Sequence, residues 1–300
     1  METTAMATMA ITADMVKKLR DQTGAGMMEC KNALTEAKGD PEEATTILRK
    51  RGLASAAKKA GRTASEGLIA STVAADHSSG ILAEVNCESD FVARTPDFQL
   101  LMQHVLDEIA TAGDAVNEAW LKDPNGPIAR LLTPLIANLG ENMTVSRVVR
   151  YAGNGYVGQY IHQGGKIGVM VEFAGVTPEI AKREEFETLV REIAMQVAAG
   201  NPAYAKREDV PAEVLEKERA IYRAQMENAG KPANVLEKII EGKLGAFYKQ
   251  MPGGVLPDQE SIRDPKASVK QVIDAASKAL GAPITVSRFA RLKVGEVSAA

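Results

Sequence analysis

An internal duplication constrains the fold of this chain more than any other feature of its sequence. When the chain is compared with itself at an offset of 88 residues, "GLIASTV" from Gly67 meets "GYVGQYI" from Gly155, and "GILAEV" from Gly80 meets "GVMVEF" from Gly168. Self-similarity at a fixed offset indicates a copied structural unit. The short apolar runs, bounded by glycine, predict two strands at the start of each copy.

The same register continues, without a gap, into a segment with helical periodicity. Apolar residues spaced three and four apart lie on one face of a helix, so each copy is predicted to bury one helical face. At a second offset, 141, the tetrapeptide "TVSR" of residues 144–147 recurs at residues 285–288. Each copy therefore predicts the order strand, strand, helix, helix, strand. The matched apolar residues are Phe98 with Phe186, Leu101 with Leu189, Val105 with Ile193, and Ile109 with Val197.

The second copy contains an insertion, because the two offsets differ by about 53 residues. Two helix-length segments, divided by Gly230 and Pro232, occupy residues 210–250, and a return loop extends to residue 263. They predict a helical hairpin that projects from the second copy. A narrow, charged hairpin of this kind is either an arm that binds a partner or a decoration of the surface.

Three short helices are predicted before the duplication. Asp40 is a good N-cap residue, and Pro41 stands at the first helical position of the third segment. Gly24, Gly39 and Gly52 are each expected to end one of the three helices. A bundle of about 40 residues is near the lower limit for independent folding, so a small satellite domain is expected here.

The predicted fold class is α+β, with helices and strands that follow one another in segments. The duplicated copies form a core of two similar subdomains, and the three-helix domain and the hairpin are attached to it. The expected parts are a frayed tail (1–10), the three-helix domain (11–52), a linker (53–66), core subdomain 1 (67–152), core subdomain 2 (153–209 and 264–300) and the hairpin insertion with its return loop (210–263).

Composition favours a globular protein of the reducing cytoplasm. The chain has 300 residues, of which 45% are hydrophobic and 25% charged, and it has only two cysteines without zinc or disulfide spacing. No run of about 18 apolar residues predicts a membrane span. The net charge of −3 gives no general attraction for nucleic acid, and the basic stretch of residues 49–62 is typical of a solvated linker.

Candidate catalytic groups are sparse, which argues against an enzyme. The histidines and cysteines form no triad motif and have no metal-ligand spacing. The segment "GNGYVG" at residues 153–158 matches a dinucleotide fingerprint in form, but it is predicted to open a strand where the fingerprint would open a helix. The sequence therefore predicts no catalytic residue, no metal and no cofactor. The groups considered are His77, His104, His162, Cys30 and Cys87.

Two pairs of residues suggest protein binding. Met27 and Met28 are adjacent in a predicted helix, so both cannot face the same side, and methionine suits an adaptable binding surface. Two core methionines are an equal alternative. Asp90 and Phe91 are expected in or beside a loop of about ten residues after a strand, where the second copy has Pro178 and Glu179. Phe91 either fills a local gap or anchors a partner.

An ordered series of motifs resembles the translation elongation factor Ts family over almost the whole chain. The segments are "LRDQTGAGMMECKNALTEAKGD", "AAKKAG", "EVNCESDFVAR", "IGVMVE" and "IAMQVAAGNPAY". The resemblance implies a ubiquitin-associated-like (UBA-like) three-helix domain, a duplicated α+β core and a coiled-coil insertion. It also implies guanine-nucleotide exchange on the GTPase elongation factor Tu, in its GDP-bound and nucleotide-free states.

The resemblance further assigns roles to particular residues. Ser89, Asp90, Phe91 and Val92 match the family's TDFV motif, whose Asp-Phe pair intrudes beside the partner's magnesium site. Serine stands here where many relatives have threonine, which keeps the hydroxyl, and Gln196 stands where relatives often have histidine. The further partner-binding residues implied are Met27 and Met28, which match the TGAGMM motif, and His162.

Two other classes of function stay open at this point. One is an adaptor that uses residues 11–52 and the hairpin to tether proteins without exchange activity. The other is a hydrolase that uses Cys87 and His162.

Overall fold

The computed structural model describes residues 10–153, 155–162, 164–226 and 232–296. The expected frayed tail, apart from its last residue, and the hairpin turn around Gly230 lie outside these ranges. Contacts between Cα atoms divide the chain into two compact units. The first comprises the described residues up to Ala70, Ala83–Val148 and those from Val294 onward, and the second comprises Ser71–Leu82 and Val149–Lys293.

Helices and strands alternate in a mixed α+β arrangement, which confirms the predicted class. The strands form two three-stranded sheets, in the orders β1-β2-β3 and β4-β5-β6. The strands are β1 (Glu66–Val73), β2 (Ser79–Cys87), β3 (Met143–Ala152), β4 (Tyr156–His162), β5 (Ile167–Ala174) and β6 (Thr285–Lys293). The helices are α1 (Ala13–Thr23), α2 (Met27–Glu36), α3 (Pro41–Lys59), α4 (Asp90–Ala93), α5 (Pro96–Ala112), α6 (Glu118–Lys122), α7 (Pro127–Leu139), α8 (Glu184–Gly200), α9 (Ala212–Met226), α10 (Ala233–Tyr248) and α11 (Val269–Leu280).

The first three helices share a small apolar core. Leu19, Cys30 and Leu34 are buried in it. As predicted, the side chain of Asp40 caps α3 by accepting from the backbone N–H groups of Glu42 and Glu43. Gly24, at φ 67°, ends α1 in the left-handed conformation that glycine adopts without strain.

The prediction that Gly52 ends the third helix is wrong. Helix α3 continues to Lys59, so the first half of the expected linker (53–66) is helical. Gly52 is buried, and a Cβ atom built on it would lie 2.9 Å from the Cγ2 atom of Thr133 in α7. The glycine therefore serves the close approach of two helices, and it does not serve as a stop signal.

The two copies have matching elements. Helices α5 and α8 both contain 17 residues and are related by the offset of 88. Both sets of matched apolar residues are buried, from Phe98 to Ile109 and from Phe186 to Val197. Within each copy, this helix is followed by the predicted second helix, α7 or α11, and by the third strand, β3 or β6.

A cross-strand ion pair is duplicated as well. Glu84 accepts a hydrogen bond from Arg147 Nε at 2.6 Å, and Glu172 accepts one from Arg288 Nε at 2.7 Å. The offsets of 88 and 141 relate these two pairs. Both carboxylates are buried, and removal of either arginine would leave an uncompensated buried charge.

The second sheet is antiparallel and supports α8 and α11. Strand β5 lies between β4 and β6, with Val171 opposite Gly158 on one side and Phe289 on the other. Val169, Val171 and Phe173 share one apolar core with residues of α8 and α11. The segment "GNGYVG" leads into β4, so the predicted strand, and not a nucleotide-binding turn, follows it.

Helices α9 and α10 lie side by side in opposite directions. Arg219 pairs with Glu241 at 3.5 Å, and Arg223 pairs with Glu237 at 3.2 Å. These bonds are exposed, so they fix the register of the two helices more than they stabilise it. Across the described ranges, no helix is long and apolar enough to cross a membrane.

Candidate functional site

Phe91 is the most exposed large hydrophobic residue in the part of the chain that the structure describes, with 80% of its surface open to solvent. It lies in the single helical turn α4, which the sequence had predicted as a loop. The helical turn within this connection was missed because Ser89 supplies a helix cap that was not recognised. An exposed ring cannot fill a local gap, so the anchor interpretation remains for Phe91.

The turn that carries Phe91 is fixed at both ends. Ser89 Oγ accepts a hydrogen bond from the Val92 N–H at 3.4 Å, which caps the start of α4. At its end, Thr95 Oγ1 donates to the Val92 carbonyl at 2.8 Å, and the same hydroxyl caps α5. Val92 and Ala93 are buried beneath the turn. Phe91 is thus an exposed side chain on a well-held backbone.

Asp90 is partly exposed on the same turn. Its Oδ2 atom lies 2.7 Å from Arg94 Nη2, one helical turn later. An exposed pair of this spacing contributes little to stability, about 0.3–0.5 kcal/mol. The Asp90 carboxylate is therefore only weakly held by Arg94.

A carboxylate from a distant part of the chain holds the start of this turn. Glu141 Oε2 accepts from the N–H groups of Glu88 and Ser89, at 3.0 and 2.9 Å, and Glu141 Oε1 accepts from Ser89 Oγ at 2.5 Å. In return, Glu88 Oε1 accepts from the Asn142 N–H at 2.6 Å. The sequence predicted no role for Glu141. Its only sequence signal was position, directly after the glycine that ends the α7 segment.

Met27 and Met28 open α2 and are both exposed, by 45% and 65%. The alternative of two core methionines is therefore wrong, because the small core of α1 to α3 is built without them. Met27 also lines a surface cavity of about 590 Å³ together with Leu100, which is 56% exposed. Leu100 was missed, although its neighbour Leu101 is buried and two adjacent helical residues cannot share a face.

His162 belongs to the second compact unit, whereas Met27, Met28 and residues 89–92 belong to the first. It is the last residue of β4 and is half-buried. Its Nδ1 atom lies 2.7 Å from Tyr160 Oη. This contact links the imidazole to a side chain of its own strand.

The remaining titratable candidates do not assemble a catalytic site. Cys87 is fully buried, and its thiol donates to the Ser89 carbonyl at 3.1 Å. Cys30 is also buried, and burial raises the pKa of its thiol, which disfavours a thiolate nucleophile. His104 is exposed on α5, and His77 stacks on Tyr156 with 4.2 Å between ring centroids. Within residues 10–296, as far as they are described, no cluster of three metal-ligating side chains occurs.

Comparison with known proteins agrees with the resemblance that the sequence motifs indicate. The family model described as "Elongation factor TS" matches residues 88–296. The chain is 44% identical to the protein named elongation factor Ts of Trichlorobacter lovleyi over 294 residues, covering 96% of this chain and 94% of that protein. It is also 44% identical to the elongation factor Ts of Clostridium botulinum strain Eklund 17B over 293 residues, covering 95% and 93%. The family model matches more than half of the chain, and the relatives are similar over nearly its full length. The chain therefore belongs to the elongation factor Ts family.

Proposed function

We propose that this chain is a guanine-nucleotide exchange factor for elongation factor Tu in the elongation phase of translation. Membership of the elongation factor Ts family supports a role in translation elongation. The observation that carries the mechanism is the exposure of Phe91 on a turn whose backbone is held at both ends. The proposed setting is the bacterial cytoplasm, and the proposed partner is the GDP-bound or nucleotide-free GTPase, without direct contact to nucleic acid.

In this mechanism, the turn of residues 89–92 acts as a wedge. Phe91 inserts between elements of the GTPase, and Asp90 places a carboxylate beside the partner's magnesium site. A magnesium ion screens the phosphate charge of GDP, so displacing the groups that hold the ion weakens GDP binding. Ser89 caps the turn and Val92 anchors it from below. No bond is made or broken, so the chain acts as an exchange factor and not as an enzyme.

Exchange then follows from reciprocal binding. If the factor weakens GDP binding by a given ratio, GDP weakens binding of the factor by the same ratio. An incoming nucleotide therefore releases the factor, and neither complex is a dead end. This reversibility needs contacts that hold the partner in both states. For that docking role we propose Met27, Met28 and His162, whose described surfaces are exposed or half-buried.

The additional parts of the chain fit docking better than catalysis. We propose that α1 to α3 form a UBA-like domain that presents Met27 and Met28. We also propose that α9 and α10 are the two arms of a coiled-coil insertion, supported by their antiparallel ion pairs. These roles increase the residence time on the partner and leave the exchange step to the Asp-Phe wedge.

The test is stopped-flow release of fluorescent GDP from elongation factor Tu. Phe91→Ala is expected to slow the accelerated release about tenfold, which corresponds to a loss of about 1.4 kcal/mol in transition-state stabilisation. The matched control is Ile262→Ala, which truncates another exposed apolar side chain without an assigned role. Circular dichroism and melting of both variants should match the unsubstituted protein.

The outcomes separate the candidate functions. Wild-type acceleration by Phe91→Ala would refute the wedge. Binding of the unsubstituted chain without any acceleration of GDP release would refute exchange and leave the adaptor function in its place.

A further inference from the structure

Glu141 makes a set of contacts that the proposed wedge does not explain by itself. Its carboxylate accepts three hydrogen bonds, all from Glu88 and Ser89, immediately before the helical turn that carries Phe91. Hydrogen bonds to a charged acceptor are about twice as strong as those between neutral groups. The position of this carboxylate is set by α7, which ends at Gly140 in the left-handed conformation at φ 78°.

Hydrogen bonds run in both directions between residues 88–89 and residues 141–142, so they connect the two segments. Glu88 Oε1 accepts from the Asn142 N–H at 2.6 Å, and Asn142 Nδ2 donates to the carbonyl of Arg62 at 2.8 Å. The start of the Phe91 turn is thereby fixed to the end of α7 and to the segment before β1. Because α4 is a single helical turn, these few hydrogen bonds are enough to fix its orientation.

The second copy shows that the fold does not require this carboxylate. Thr177 corresponds to Ser89, and its Oγ1 atom accepts from the Ile180 N–H at 3.3 Å, so the hydrogen bond between Ser89 and Val92 is repeated. At the position of Glu141, however, the second copy has Ala282. There, Gly175 brings the backbone so close that a Cβ would lie 2.2 Å from the carbonyl oxygen of Pro283. Direct backbone contact thus replaces the carboxylate in the copy that also lacks the Asp-Phe pair.

The ring of Phe91 depends on its backbone for direction, because four-fifths of its surface is exposed. A binding group that is already oriented loses less conformational freedom when it binds. If the start of the turn were released, the ring would sample more orientations, and fewer encounters would place it correctly. The effect would appear in the exchange step more than in docking, since the docking residues lie elsewhere.

From this geometry we propose that Glu141 is a positioning residue for nucleotide exchange: its carboxylate fixes the turn of residues 89–92 so that Phe91 is presented to the partner. The inference rests on the proposed function. Glu141 does not touch the partner's nucleotide site in this account. It acts through Phe91, and its removal has no further effect once the ring is absent.

The experiment measures the maximal rate of GDP release and the factor concentration that gives half of it. Glu141→Ala is expected to lower the maximal rate about fivefold and to change the half-saturating concentration by less than about twofold. Glu141→Gln keeps an acceptor for the backbone N–H groups and should fall between Glu141→Ala and wild type. In the Phe91→Ala background, Glu141→Ala should change the rate by less than about twofold.

Asp76→Ala is the matched control. The Asp76 carboxylate accepts from the N–H and the hydroxyl of Ser78, at 3.0 and 2.7 Å, which is the same chemistry in a different turn. It should leave the maximal rate unchanged. Glu141→Gln serves as the milder perturbation if Glu141→Ala folds poorly. Ser89→Ala removes one of the three bonds to Glu141 and also the cap of α4, and it should slow release about twofold to fivefold.

Each remaining outcome overturns a defined part of the reasoning. A wild-type rate for Glu141→Ala and for Ser89→Ala, or an equal slowing of Glu141→Ala with and without Phe91, would refute the positioning role while leaving the wedge intact. Equal slowing by Asp76→Ala would do the same, because it would reduce the effect to general stability. A wild-type rate for Phe91→Ala would instead refute the proposed function.

Discussion

Helices α3 and α7 approach closely at Gly52, and this contact predicts how Gly52→Ala changes stability. The substitution should destabilise the protein, and a second substitution at Thr133 should make it stabilising. A Cβ atom at residue 52 would lie 2.9 Å from Thr133 Cγ2, and its next neighbour, the Thr133 carbonyl oxygen, is at 3.8 Å. Among the described residues, the Cγ2 methyl group of Thr133 is therefore the only atom within 4 Å that an alanine at residue 52 would clash with. Thr133 cannot easily move that methyl away, because it is buried and its side chain is branched at Cβ within a helix.

The magnitude follows from two opposing effects. Alanine in place of glycine inside a helix stabilises it by about 1 kcal/mol. Overpacking a buried contact costs about 1–3 kcal/mol. For Gly52→Ala, we therefore expect a net loss of about 1 kcal/mol. In a Thr133→Ser background, the clashing methyl is absent and the hydroxyl is kept, so the same substitution should gain about 1 kcal/mol.

The assay is amide hydrogen exchange of α3, resolved by peptide, because it reports the opening of this helix separately from the rest of the chain. Gly52→Ala alone should speed exchange about fivefold, and Gly52→Ala added to Thr133→Ser should slow it about fivefold. A coupling of about 2 kcal/mol between the two positions results. If Gly52→Ala had the same effect in both backgrounds, α3 and α7 would not be packed at this point, and the reasoning would be refuted.

Two further predictions concern single interactions. Asp40→Ala removes the side-chain cap of α3 and should lower the free energy of unfolding by about 1 kcal/mol, measured by urea denaturation, whereas Asp40→Asn should recover most of it; equal losses would contradict the capping role. Burial raises the pKa of Tyr151 to about 12, although the nearby Arg288 opposes the shift, so ultraviolet titration should resolve one phenol well above the usual value near 10. Because the folded pKa is the higher one, the stability from neutral Tyr151 is fully present below about pH 10 and is lost as the pH rises through about 12; titration of every tyrosine near 10 would contradict this.

The fold was predictable where sequence patterns repeat. The spacing of Phe98, Leu101 and Val105 specifies a buried helical face, and its recurrence at Phe186 removes the ambiguity of a single short pattern. Local capping was predictable for the same reason, because Asp40 with Pro41 acts on its immediate neighbours. Both kinds of signal depend only on residues close together in the chain.

The misjudged features depend on contacts between distant residues. The sequence around Gly52 does not indicate that Thr133 packs against it, so this glycine was interpreted as the end of a helix. Ser89 was recognised by resemblance, but its role as a cap depends on a turn that Glu141, 52 residues later, helps to hold. Exposure of Phe91 was also open, because an aromatic residue after a strand can be buried or presented. Sequence patterns fix periodicity, whereas these features require the tertiary structure.

The duplication separates what the fold needs from what the function needs. Features present in both copies, such as the ion pairs of Glu84 and Glu172, are explained by the shared architecture. Features present in one copy require another explanation, since the other copy folds without them. Phe91 and Glu141 are both of this second kind, and hydrogen bonds through Ser89 connect Glu141 to the turn that presents the ring. Their joint absence from the second copy agrees with the roles proposed for a wedge and its support.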